Sequence, residues 1–227
     1  MRRGNKKVGG PVMTPRAVIL IVLALSVGGC VTATPEPATE ANLKPRDREY
    51  LANAPYAKVV VPQAYRRHLV DYHRREAPGT ILVDTDARHL YLVLPNQKAI
   101  RYGVAVGEEA LAFSGVAKIG HMAEWPGWTP TENIKRRIGN LPNHVEGGPL
   151  NPLGARALYL YANGRDTLFR IHGTNQPEWI GKAISSGCIS MVNEDVIDLY
   201  NRTKVGAPVV VLAPGSGDVF SRLALGS

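Results

Sequence analysis

The reading of this chain turns on Arg170-Ile171-His172-Gly173-Thr174 and on the run Ser185-Ser186-Gly187-Cys188-Ile189-Ser190-Met191 that follows it. Leu168–His172 has the composition of a short apolar strand ending at the histidine. Pro177–Ile184 reads as a short helix, and Ser185-Ser186-Gly187 as a tight turn that presents Cys188. A strand, a helix and a turn that fold back bring His172 to Cys188, sixteen positions downstream. An unperturbed thiol is only a few per cent thiolate at neutral pH, so a nucleophilic cysteine needs an imidazole beside it. Cys188 is therefore the candidate nucleophile and His172 the candidate general base and acid. The backbone N–H groups of Ser186, Gly187 and Cys188 are candidate oxyanion donors, because the turn aims successive amides at one point. Glycine at 187 permits that turn and leaves room for a carbonyl to approach.

Outward from this stretch the chain is a series of short apolar segments separated by turn formers. Thr80–Asp84, His89–Leu94, Ala99–Val106, Val116–Gly120, Ala157–Tyr161, Leu168–His172 and Val209–Leu212 read as strands. Asp84-Thr85-Asp86, Pro95-Asn96 and Asn163-Gly164-Arg165-Asp166 read as their turns. Such spacing predicts a mostly β fold with short helices, a sandwich or partly closed barrel. Asn193 is the expected N-cap of a helix whose Val196, Leu199 and Tyr200 face the core. Pro62–Glu76 is expected to be helical, with Tyr65, Leu69 and Tyr72 along one face.

Between His121 and Arg156 the sequence has little period and much Gly, Pro, Trp and Asn. So long an irregular stretch inside a domain is usually functional, here a loop beside the candidate site. Trp125 and Trp128, flanking Pro126-Gly127, have two readings: an apolar wall for a peptide, or rings plugging the end of the sheet. His121 and His144 lack a second ligand at metal-site spacing, and no His-Glu-x-x-His or paired Cys-x-x-Cys pattern occurs, so neither metal nor cofactor is expected.

The N-terminus carries most of the charge. Residues 1–16 are basic, and Ala17–Val27 is an apolar run of eleven residues, the pattern of a secretory signal and too short to span a bilayer. Val27-Gly28-Gly29-Cys30 resembles a bacterial lipoprotein signal in which Cys30 becomes the acylated first residue, an ordinary signal peptide being the alternative. Five cations (Arg2, Arg3, Lys6, Lys7, Arg16) and no acid precede Cys30, so removing them from the formal +8 leaves +3. That excess, without a basic stripe interleaved with aromatics, argues against nucleic acid as a partner. Lipidation of Cys30, one of two cysteines in the chain, leaves Cys188 reduced. Val31 is not the aspartate that retains lipoproteins in the inner membrane, so a periplasmic domain lipid-anchored at the outer membrane is expected. The organisation expected is a signal peptide at 1–29, a flexible Pro/Ala/Thr/Glu-rich tether at 30–56, a helical extension at 57–78, a catalytic domain at 79–213 and a loose tail at 214–227.

His172-Gly173-Thr174, Ser185-Ser186-Gly187-Cys188-Ile189 and Asn193-Glu194-Asp195-Val196 together resemble the signature of the L,D-transpeptidase (YkuD-like) catalytic domain. Arg88–Val93, Tyr102–Gly107, Gly148–Leu158 and Val205–Val211 resemble its supporting segments, so the likeness covers roughly residues 79 to 213. The resemblance implies a cysteine acyltransferase acting on peptidoglycan stem peptides. Cys188 would attack the bond between diaminopimelate and terminal D-Ala, and the thioester would pass to an amine. A second stem peptide as acceptor gives a 3–3 cross-link, an outer-membrane protein gives a tether to the wall, and water gives an L,D-carboxypeptidase. The resemblance also implies that the Gly173 carbonyl orients His172, and places Ser185 and Ser190 beside substrate. Two positions depart from the family pattern: Ser186 stands where a histidine is common, and Ser190 where asparagine or arginine is common. A catalytically weak, wall-binding lipoprotein of the same fold is the non-enzymatic alternative. A cysteine endopeptidase of another fold fits less well, because such enzymes usually place the cysteine before the histidine.

Overall fold

Apolar segments with polar alternation build a sheet whose two faces meet different neighbours. The computed structural model describes Met1 and residues 43–107, 113–184 and 188–216. Within these are β1 (His68–Asp71), β2 (Ile81–Asp84), β3 (His89–Leu94), β4 (Lys98–Gly103), β5 (Ala105–Gly107) and β6 (Gly115–Glu124). They continue as β7 (Arg156–Ala162), β8 (Arg165–His172), β9 (Ala183–Ile184), β10 (Ile189–Ser190) and β11 (Pro208–Val211). The described strands form one sheet in the order β1-β4-β3-β2-β11-β6-β7-β8-β10-β5-β9. Most neighbours are antiparallel. The parallel pairs are β11 with β2, β10 with β8 and β5 with β9.

Pairing of β11 with both β2 and β6 joins the N-terminal and C-terminal halves of the sheet. The sheet curls round one core, to which Ile81, Val83, Leu90, Ile100, Ile119, Leu158, Ile171 and Ile189 all contribute. The alternate residues Leu82, Tyr91, Val93 and Ala99 form a second cluster with Tyr72 on the opposite face. Both faces of β2 to β4 are thus covered, which is why these segments are nearly continuous in apolar residues. The mostly β expectation holds.

One hairpin turn follows directly from local chemistry. Asn163 and Gly164 have φ of 51° and 75° between the paired Ala162 and Arg165. This is the primed two-residue turn that asparagine-glycine favours, and it sets the β7–β8 register. Among the described residues there are three short α-helices: α1 (Pro45–Ala52), α2 (Glu132–Ile138) and α3 (Asn193–Arg202). Val196 and Leu199 of α3 are fully buried and Tyr200 packs against the same core, as the periodicity requires.

Three expectations are corrected. Pro62–Glu76 is not a helix: Gln63–Tyr65 makes one tight turn and His68–Asp71 is an edge strand on β4. Leu69 packs into the main core while Val70 and Tyr72 meet the second cluster. The helical spacing of Tyr65, Leu69 and Tyr72 was therefore accidental, and the open edge of β4 decided the conformation. Pro177–Ile184 is likewise not a helix. Pro177–Trp179 forms a single turn, Gly181 takes a φ of 86°, and Ala183–Ile184 pairs with β5.

The tether reading of 30–56 also fails in part, because Pro45–Ala52 forms α1 on the body of the domain. Its sequence lacks an apolar stripe. It docks through Tyr50 and Leu51, which pack against the main core, and through Asp47, 1% exposed, which accepts from Arg156 Nη1 and Nη2 at 2.9 and 2.6 Å and from Trp125 Nε1 at 2.7 Å. Arg156 is itself fully buried, with Tyr200 against its guanidinium. The expected signal peptide, Cys30 and the rest of the tether up to residue 42 lie outside the described residues, as does the tail from 217.

Candidate active site

The candidate site is where β8 and β10 run side by side. Parallel pairing sets Ile189 level with Ile171 and Ser190 level with His172. Met191 N–H donates to the His172 carbonyl at 2.8 Å and extends the ladder by one step. Cys188 stands just before β10, and its carbonyl accepts from Gly107 N–H at 2.9 Å, so the backbone under the thiol is held by β5. Level pairing puts Ser190 and His172 on one side of the sheet, and Cys188 lies two residues before Ser190. Extended chain continued back from Ser190 to Cys188 would put the Cα atoms of Cys188 and His172 about 8 Å apart, from a rise of about 3.3 Å per residue and a strand spacing of about 4.8 Å. An imidazole and a thiol together span that gap.

His172 is 7% exposed and its Nδ1 lies 2.6 Å from the Gly173 carbonyl. A carbonyl only accepts, so the proton of the neutral ring sits on Nδ1 and Nε2 keeps its lone pair. Burial lowers the His172 pKa to about 4; the Gly173 carbonyl opposes this and the Arg170 cation adds to it. The ring is neutral at pH 7, the state a base requires. Arg170 is committed elsewhere: it grips Asp166 at 2.7 and 2.8 Å and lies 4.4 Å over the Tyr159 ring.

Cys188 is half-buried and reduced, and its Sγ donates to the Leu168 carbonyl at 3.6 Å. Leu168 is reached through a bulge in β8, where Thr167, Leu168 and Phe169 stand opposite Leu160 alone. Leu168 has a φ of 63° and is 67% exposed. Thr167 Oγ1 secures the bulge by donating to Leu160 O at 2.7 Å and accepting from Phe169 N–H at 3.1 Å. At 3.6 Å, and with sulfur as donor, the thiol–carbonyl contact is weak.

The Gly173 carbonyl is fixed from behind. Gly173 N–H donates to Arg156 O at 2.9 Å, and a Cβ on Gly173 would fall 2.2 Å from Asn193 Oδ1 and 2.8 Å from Ala155 N. Asn193 is not the N-cap expected for α3; Val192 holds that position, and the Asn193 side chain turns inward. Its Oδ1 accepts from Ala155 N–H at 2.8 Å, and its Nδ2 donates to Thr174 O at 2.9 Å and to Tyr56 Oη at 2.7 Å. The sequence signal for this was an asparagine at a helix start, which capping chemistry explained too readily.

Ser190 is 6% exposed in the β10 ladder, level with His172. Trp125 takes the second of its two readings. It is 5% exposed, bonded to Asp47 and 4.8 Å from the Tyr50 ring centroid, so α1 covers it. Trp128 is half-buried in a backbone pair with Val145. Ser185, Ser186 and Gly187 lie outside the described residues. Among the described residues no cluster of three metal-ligating side chains occurs.

Residues 78–211 match the model of the YkuD family, the L,D-transpeptidase catalytic domain. The chain belongs to that family. It is 32% identical over 139 residues to the "Probable L,D-transpeptidase ErfK/SrfK" of Escherichia coli K12, covering 58% of this chain and 43% of that protein. It is also 32% identical over 137 residues to the "Probable L,D-transpeptidase YbiS" of the same strain, with the same two coverages. The chain thus spans less than half the length of these two relatives. A solved structure from Brucella melitensis, titled a probable carnitine operon oxidoreductase, is 46% identical; the match covers 67% of this chain and 96% of that one, with a TM-score of 0.46.

Proposed function

We propose that the protein is a peptidoglycan L,D-transpeptidase that works through a thioester on Cys188. The observation that carries this reading is the parallel pairing of β8 and β10, which sets Ser190 level with His172 and so brings Cys188, just before β10, alongside the end of β8 in a chain of this family. In the first half-reaction Nε2 of His172 takes the thiol proton and the sulfur attacks the diaminopimelate carbonyl. A C–S bond forms, the C–N bond to D-Ala breaks, and the amine leaves with the proton from His172. In the second, His172 takes a proton from the acceptor amine, a C–N bond forms, the C–S bond breaks, and the thiol is restored. The N–H groups of Ser186, Gly187 and Cys188 hold the oxyanion, each worth about 3 to 4 kcal/mol in the transition state. Ser185 and Ser190 meet the stem peptide. The neutral, Nδ1-protonated His172 supports this assignment of base and tautomer.

The acceptor is the amine of a second stem, which makes a 3–3 cross-link, or of an outer-membrane protein. Export by residues 1–29 and lipidation of Cys30 would keep the domain in the periplasm beside the wall. The test incubates the full chain and its Cys188→Ala variant with disaccharide-tetrapeptide while D-Ala, products and intact protein mass are followed. D-Ala release with a dimer or a thioester adduct, in wild type only, is expected. Release without dimer indicates water or a protein as acceptor. No release and no adduct from folded protein sinks the transferase reading and leaves a wall-binding protein.

A further inference from the structure

The sharp departures from packing alone lie behind His172 rather than in front of it. Gly154 and Gly173 meet back to back, and a Cβ on either would fall 2.2 Å from the same atom, Asn193 Oδ1. Gly154 also has a φ of 59°. Two glycines have been spent on letting one buried amide reach the backbone. That amide, 3% exposed, ties three chain segments with three hydrogen bonds: the Gly154–Ala155 turn before β7, the Thr174 carbonyl two residues beyond His172, and Tyr56 of the N-terminal segment. Generic packing needs none of these bonds. Their joint effect is to hold the peptide unit whose carbonyl receives the imidazole proton.

We propose that Asn193, held in turn by the Tyr56 hydroxyl, is the positioning residue that fixes the Gly173–Thr174 backbone and so aims the His172 imidazole at Cys188. The proposal rests on the Cys188–His172 reading above. Asn193 is 3% exposed and acts through Gly173 and Thr174. Tyr56 brings the N-terminal segment into the same device. That segment is anchored at Asp47 and ends on Tyr65, whose side chain fills the space beside Gly103 and Gly181. Between these anchors a cavity of about 740 Å³ is walled by Tyr56, Thr174, Pro177, Val192 and Asn193. The Asn193–Tyr56 hydrogen bond, which joins the segment to the histidine loop, lies on the wall of this cavity. A hydrogen bond in such a place is sensitive to the geometry of both partners. The state of the N-terminal segment is thus felt at the base.

The test uses the full chain and four variants: His172→Ala, Tyr56→Phe, Asn193→Ala and Asn193→Asp. Iodoacetamide labelling is read at the Cys188 peptide by mass spectrometry, which separates it from Cys30. The His172 Nδ1–H resonance is read by NMR on protein labelled with nitrogen-15 at histidine, and the thermal midpoint records folding. Wild type is expected to label faster than His172→Ala. Asn193→Ala should fall by about tenfold and lose the protected Nδ1–H signal, since small displacements of a reacting group cost rates of this order or more. Asn193→Asp keeps an acceptor for Ala155 N–H and for the Tyr56 hydroxyl but sets a carboxylate against Thr174 O, so it should be as slow as Asn193→Ala. Tyr56→Phe should slow labelling about threefold with its thermal midpoint within a few degrees of wild type, and it decides the matter if Asn193→Ala does not fold. Equal labelling in wild type and His172→Ala overturns the base assignment and this inference with it. A fast wild type and slow His172→Ala, with wild-type labelling and an unmoved Nδ1–H signal in folded Tyr56→Phe and Asn193 variants, overturns this inference alone.

Discussion

Acidification provides a direct test of the environment built for His172. Burial holds its pKa at about 4 against an ordinary 6.5. A depression of that size corresponds to about 3 kcal/mol of preference for the neutral ring in the folded state. The sign follows from proton counting. Between pH 6.5 and 4 the unfolded chain binds a proton at this residue that the folded chain refuses, so folding loses stability as pH falls through the window. Above 6.5 the contribution is constant and favourable, and below 4 it is gone. Asp195 acts in the opposite sense: burial raises it to about 7, so it weakens folding as pH rises through the same range. Total stability against pH therefore mixes the two, and the informative quantity is the difference between wild type and His172→Asn. Urea unfolding at pH 7 and pH 4 should show wild type losing about 3 kcal/mol more than the variant. The His172 ring, followed by NMR from pH 3 to 8, should titrate with a midpoint near 4. A midpoint near 6.5, or parallel stability curves for wild type and variant, would refute the argument that burial and the Gly173 carbonyl keep a neutral base ready.

Asp47→Ala strands a fully buried Arg156 and the Trp125 indole N–H, and is expected to cost about 3 to 5 kcal/mol in urea unfolding; a domain cut at residue 57 should be weakened alike, and wild-type stability in either would show the ion pair to be inert. Gly173→Ala forces a methyl group to within 2.2 Å of Asn193 Oδ1, so it should lose about 1 to 3 kcal/mol and slow Cys188 labelling, both read on one preparation. Leu168→Asn replaces an exposed, left-handed leucine with a residue that tolerates this conformation, and should raise stability by about 1 kcal/mol as a higher thermal midpoint. A lower midpoint would mean that the leucine side chain makes a contact more valuable than the strain it bears.

The candidate pair was legible early because it rests on residue chemistry and short-range order. A histidine closing an apolar strand, and a cysteine after Ser-Ser-Gly, are properties of the chain whatever its surroundings. The asparagine-glycine turn of β7–β8 and the buried face of α3 were legible for the same reason, since φ preference and periodicity are local. Where the sequence misled, a distant partner overruled a local signal. His68–Asp71 carries helical spacing yet became a strand because β4 offered unpaired backbone groups. Pro177–Ile184 yielded in the same way to β5.

Local chemistry along the chain set the composition of the strands, several turns, and the choice of candidate base and candidate thiol. Tertiary structure alone decided how they are held. Asp47 looks like one acid in a polar tether, and its partner lies 109 positions away at Arg156. Asn193 looks like a cap until Ala155, Thr174 and Tyr56 converge on its amide. Such groups carry no local signature, because the free energy that fixes them comes from excluding water around a charge or an amide. That happens only after the strands have closed over it.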